Sequence, residues 1–190
     1  SMSTEAIVAG ALGSASFVTA TDTPGFESVA TVTFRTAGRV EVGGKVELVM
    51  PSEPGAQYGW RFTDGAALSS LETSGTSNAP GVSFVASGSI GTPTAAAVGY
   101  NVSNRTLVFT VAAHDLAQNT TYVFSITNVL TPSSTVGAAN VIATTLDAQH
   151  ERVDRTSSMT TEAIVAGALG SASFATATDT PGFESVATVT

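Results

Sequence analysis

The side chains with chemical potential in this chain are few and scattered. His150-Glu151-Arg152-Val153-Asp154 has the outline of a zinc-protease helix, where two histidines four positions apart hold the metal and the glutamate is the base. Asp154, however, stands where the second histidine is required. His114-Asp115 sets an imidazole beside a carboxyl group. Neighbours on a strand point to opposite faces, so this adjacency is no catalytic dyad, and turn capping is the expected role. Asp147, Glu151 and Asp154 could meet Asp22, Glu27 or Asp179 from turns at the same end and supply oxygen ligands for calcium. No D-x-D-x-D-G loop accompanies them. A G-x-S-x-G elbow, a G-x-G-x-x-G turn and a phosphate-binding glycine loop with lysine are all missing from the sequence. The expectation is a chain with no catalytic, cofactor-binding or metal residues, calcium being the one cofactor alternative.

Absence of cysteine removes disulfides, thiolate metal sites and thiol catalysis together. Three sequons, at Asn101, Asn104 and Asn119, fall on expected loops, where glycans attach. Seven Lys and Arg against fifteen Asp and Glu give a net charge of −8. No basic stripe exists to neutralise phosphates, which argues against nucleic acid and against anionic membrane surfaces. No apolar run is long enough for a membrane-spanning helix.

Elements that position these residues read as strands. Thr and Val are abundant and Gly is frequent while Leu and Lys are sparse, a profile that suits strands and turns. Alternation marks Ser14–Asp22, Ser28–Thr36, Lys45–Met50, Gln57–Phe62, Gly81–Ser87, Ala95–Asn101, Arg105–Ala113, Tyr122–Val129 and Asn140–Leu146. Asp64–Pro80 reads as loop with one helical turn at Ala66–Leu71. Eight or nine strands, with turn signals between them, predict an all-β antiparallel sandwich.

One spacing is more specific. Leu116…Thr120-x-Tyr122-x-Phe124-x-Ile126 resembles the tyrosine corner of immunoglobulin-like and fibronectin-III-like domains. The resemblance implies that Leu116 opens the turn and that the Tyr122 hydroxyl bonds upstream backbone, with Trp60 as the core tryptophan. More broadly, the chain resembles the Ig-like repeats of large surface adhesins and extracellular filament proteins.

The sequence also repeats itself. Ser158–Thr190 reproduces Ser1–Thr33 with changes only at Ser3/Thr160 and Val18/Ala175, an offset of 157 residues. A domain-sized period points to beads on a string, not a solenoid. Residues 1–157 are then one Ig-like repeat, with a charged seam over 147–157, and residues 158–190 are the first strands of the next. The seam is expected to be a solvated linker of one or two helical turns, with Glu151 and Arg155 paired. After it, Thr161–Gly170 is apolar and has to be covered. Ile164, Val165, Leu169 and Phe174 are the expected contacts, either as the first strand of their own sandwich or as a donor strand on the preceding sheet.

These readings combine into an expected function: a non-enzymatic structural repeat of an extracellular or cell-surface stalk or filament. Its partners would be neighbouring copies of the same repeat, with lateral self-association between chains as a further possibility. The rival is an adhesin module gripping a glycan or a protein through loops at one end, for which joint exposure of Tyr58 and Trp60 is the sign.

Overall fold

The computed structural model describes residues 8–53, 58–62, 81–85, 92–167, 174–177 and 187–189. It is all-β: thirteen strands and, among the described residues, no helix. In chain order they are β1 (Gly10–Ala11), β2 (Gly13–Thr19), β3 (Glu27–Arg35), β4 (Lys45–Val49), β5 (Arg61–Phe62), β6 (Val82–Phe84) and β7 (Thr94–Asn101). There follow β8 (Thr106–Ala112), β9 (Thr121–Leu130), β10 (Asn140–Leu146), β11 (Arg152–Thr160), β12 (Phe174–Thr176) and β13 (Ala187–Val189). The helical turn expected at Ala66–Leu71 lies outside the described residues.

One sheet has the order β1-β11-β10-β4-β8-β7 and a second the order β2-β3-β9-β5, with β6 also on the free side of β9. Every pairing is antiparallel except one, β1 on β11. The strands form where apolar residues alternate, since a period of two puts one set inward. In β8, Leu107, Phe109 and Val111 are fully buried, while the residues between them are half-exposed. In β9, Tyr122, Phe124 and Ile126 do the same from the other sheet. The two layers meet through aromatic edges: Phe109 on β8 and Phe124 on β9 lie 5.3 Å apart, and Phe84 touches both.

Register shifts interrupt four ladders, and in three of them a left-handed residue marks the bulge. Ser14 in β2, Ala97 in β7 and Asn128 in β9 have φ of 45°, 47° and 60°, each where a register shifts. The extra residue of a bulge takes the left-handed conformation that lets a strand turn over the core.

The seam is corrected by the structure. It is neither linker nor helix but the turn and first half of the β10–β11 hairpin. Asp147 Oδ1 accepts the N–H groups of Gln149 and Glu151, and Asp147 N–H bonds the Glu151 carbonyl, which closes a tight loop. Beyond it β11 runs through the 157/158 division and ends at Thr160. Helical pairing of Glu151 with Arg155 is therefore excluded, because a strand separates those side chains instead of stacking them.

Candidate inter-repeat junction

β11 takes the chain from one end of the molecule to the other. Its start, Arg152, pairs with Leu146 beside the Glu41–Gly44 turn; its finish, Thr160, pairs with Asn140 at the opposite end. These are called the proximal and distal ends below.

At the proximal end β1 lies parallel to β11, with Gly10 opposite Asp154 and Ala11 opposite Arg155, and Leu12 N–H bonds the Arg155 carbonyl. Asp154 is fully buried. Its carboxyl oxygens accept the backbone N–H groups of Ala37 and Gly38 at 3.0–3.1 Å, and its own N–H bonds Thr145 Oγ1. A buried carboxyl group has to be matched in this way, and here the match ties β11 to the Ala37–Gly38 turn, with Gly10 of β1 packed against both. Gly10 is required by the fit: a Cβ there would stand 2.3 Å from Asp154 Oδ1 and 2.8 Å from the Ala37 Cβ. Val8, Ala9, Gly10, Ala37, Gly38, Arg152 and Asp154 line a shallow cleft open at this end.

At the distal end the second copy of the repeat sequence continues directly from β11. Met159 is fully buried, Thr161 is 2% exposed and Ile164 is 1% exposed. Thr161 N–H bonds the Ala139 carbonyl, and Ala139 N–H bonds Thr161 Oγ1. Ile164 and Val136 exchange both backbone bonds, at 2.9 and 3.1 Å. Val165 N–H then reaches the Asp22 carbonyl at 3.0 Å. That carbonyl belongs to a turn held by Thr131, whose hydroxyl donates to Thr23 O and accepts from Phe26 N–H. Of the four expected contact residues, Ile164 is buried on the first sandwich. Val165 is tied there by its backbone while its side chain stays 48% exposed. Leu169 lies outside the described residues. Phe174 opens β12, which pairs with β13 and not with either large sheet.

The β12–β13 hairpin repeats a register already present. Phe174 opposes Val189, Ala175 opposes Thr188 and Thr176 opposes Ala187, the counterparts of Phe17–Val32, Val18–Thr31 and Thr19–Ala30 in β2–β3. The duplicated sequence forms the same hairpin in both places.

Remaining candidates are placed as follows. Leu116 is fully buried, and the Tyr122 hydroxyl accepts the Ala117 N–H at 2.6 Å, five residues upstream. The Thr36 hydroxyl fastens the same turn by donating to the Ala117 carbonyl. Asn101, Asn104 and Asn119 are exposed; the first two accept backbone N–H groups within their own hairpin loop, and Asn119 has φ 55°. Asp115 is bonded by the Arg39 guanidinium and by Val42 N–H, which hold its carboxyl below the usual range. His114 is exposed in the adjoining turn. Among the described residues no cluster of three or more His, Asp or Glu could hold a metal; Asp179 lies outside them.

Trp60 is 1% exposed, stacked edge-on with Phe17 and covered by Tyr100, whose hydroxyl donates to the Trp60 carbonyl. Burial pushes the Tyr100 hydroxyl up to about 12. Tyr58 sits beside Arg61 in a cleft with Ser52, Glu53 and Arg105. Burial raises the Glu53 carboxyl, opposed by the nearby Trp60 indole, although neither Glu53 Oε1 nor Trp60 Nε1 reaches a hydrogen-bond partner. Sequence reasoning missed Asp154 and Thr131 as anchors. The signal for Asp154 was present: a strand-like alternation in Val153–Met159 with the acid on its inward side.

No family model, curated protein or solved structure matches the chain.

Proposed function

We propose that the chain is a structural repeat of an extracellular stalk or filament, an Ig-like sandwich strung in tandem at a 157-residue period. Its work is mechanical and it carries out no catalysis. The observation that supports this reading most is the parallel pairing of β1 with β11. Tension on a tandem chain enters at the proximal end of β1 and leaves at the distal end of β11. Parallel neighbours pulled in those directions slide along each other, so their hydrogen bonds and the Asp154 clamp are loaded together and not one after another. The bond from Ala117 to the Tyr122 hydroxyl supports the Ig-like part of the reading. Neighbouring copies are the partners, and lateral self-association between chains is an extension of the same proposal.

An adhesin module is the second reading. It is favoured by the cleft that gathers Ser52, Glu53, Tyr58, Arg61 and Arg105. Burial of Trp60 takes from that cleft the aromatic platform a glycan would stack on.

Single-molecule extension of a tandem array is the direct test. Each unfolding step should lengthen the chain by about 500 Å, the span of 157 extended residues less the folded length. Steps with resolvable force peaks are expected. Extension without peaks would remove the mechanical reading.

A further inference from the structure

Two residues separate one sandwich from the next. A tandem sequence can be divided at any phase, and the structure picks one. Met159, Thr161 and Ile164 belong to the first sandwich by burial and hydrogen bonding, although their sequence repeats the head of the chain. The counterpart of Gly167 is Gly10, where β1 begins and packs on Asp154. We infer that the folding unit runs from Gly10 to Ile164, that Val165 and Ala166 alone join it to its successor, and that consecutive units abut. The inference takes further copies to follow, and in that respect it rests on the proposed function.

The surfaces that meet are given by reach. From Ile164 to Gly167 the chain spans three Cα steps, at most about 11 Å. The following sandwich must therefore bring its proximal cleft, the equivalent of Val8, Ala9, Ala37, Gly38 and Arg152, against the Asp22–Phe26 turn. The occupant of each cleft is the distal turn of the preceding copy. Exposure supports this assignment. Val8 is 85% exposed, whereas its identical counterpart Val165, lying along the Asp22 turn, is 48% exposed. A Cβ on Gly167 would stand 3.6 Å from Thr23 Cγ2, so this linker already touches the turn. Phe26, 58% exposed, adds an apolar patch at the distal end.

The chain provides its own control, because Ile164 and Ile7 are the same residue in the repeat. In the 190-residue chain, Ile164→Asp should lower the melting temperature by about 10 °C. Ile7→Asp should leave it unchanged. Equal effects, or none from Ile164→Asp, would overturn the phase. If Ile164→Asp does not fold, a second measurement decides. Thr23→Cys with Gly167→Cys makes a chain with only two thiols, which should close to a disulfide on mild oxidation and shift on a non-reducing gel. Inserting Gly-Ser-Gly-Ser between Val165 and Ala166 should abolish that cross-link, and persistence of both thiols without the insertion would sink the abutment. Failure of the extension experiment while these results hold would discard the stalk and keep the junction.

Discussion

Glu53 is a carboxyl group whose chemistry is altered by its place. Burial raises its carboxyl above the ordinary 4.5, so folding favours the protonated form. Its contribution to stability is then full below pH 4.5 and is lost as pH rises through the raised value. Glu53→Gln should accordingly raise the melting temperature at pH 7 by a few degrees and change nothing at pH 4. Parallel melts at the two pH values check this, and an equal gain at both would deny the burial effect. Asp115 works in the opposite sense: Arg39 and Val42 N–H hold its carboxyl down, so its contribution is present above the usual carboxylate value and lost on acidification. Neither shift could be read from the sequence. Glu53 sits in an ordinary polar stretch, and only its burial in the folded chain makes it unusual.

Among the elements, strands with alternating side chains were legible, β7 and parts of β2, β5 and β6 included. β3, β4, β8, β9 and β10 lie within a residue or two of their expected bounds, because Phe, Leu, Ile and Val at every second position leave one solution. β11 was missed, and β1, which falls in the first-copy counterpart of the expected first strand Thr161–Gly170, was legible without its partner. Gly10-Ala11 has no side-chain pattern, and its pairing depends on the space beside Asp154. β11 presents Arg152, Arg155 and several small polar residues outward, and one of its five charged neighbours turns in. Charge was taken as a sign of solvent, whereas backbone N–H groups were the partners. The junction was half legible: Ile164 was singled out for its apolar character, but not the two-residue limit. Asp154→Asn tests the clamp at this scale. An amide must point its NH₂ at a donor, so a charge-assisted bond is lost, at a cost of about 2 kcal/mol. The melting temperature should fall by about 4–8 °C, with amide exchange rising first at Ala37 and Gly38. Unchanged exchange at those two sites would show that the clamp does not hold β1.

At the scale of the whole molecule, the proposed two-residue link implies an array with a definite repeat. From Asp154, level with Gly10, to Gly167, level with the next Asp154, the chain advances thirteen residues. At about 3.3 Å per extended residue the axial rise is at most about 43 Å. Scattering or electron microscopy of a multi-repeat array should give a period close to this value. A longer spacing would mean that Ile164 leaves its pocket in the array.

The pairing of Gly10 with Asp154 also bears on how the protein is made. Within one unit β1 is synthesised before its partner β11 and waits for it, and closure also needs Met159, Thr161 and Ile164. Contacts this distant form slowly. In the proposed tandem array a neighbouring copy offers the waiting strand an identical edge during the delay, so strand exchange between neighbours is the misfolding route such an array exposes.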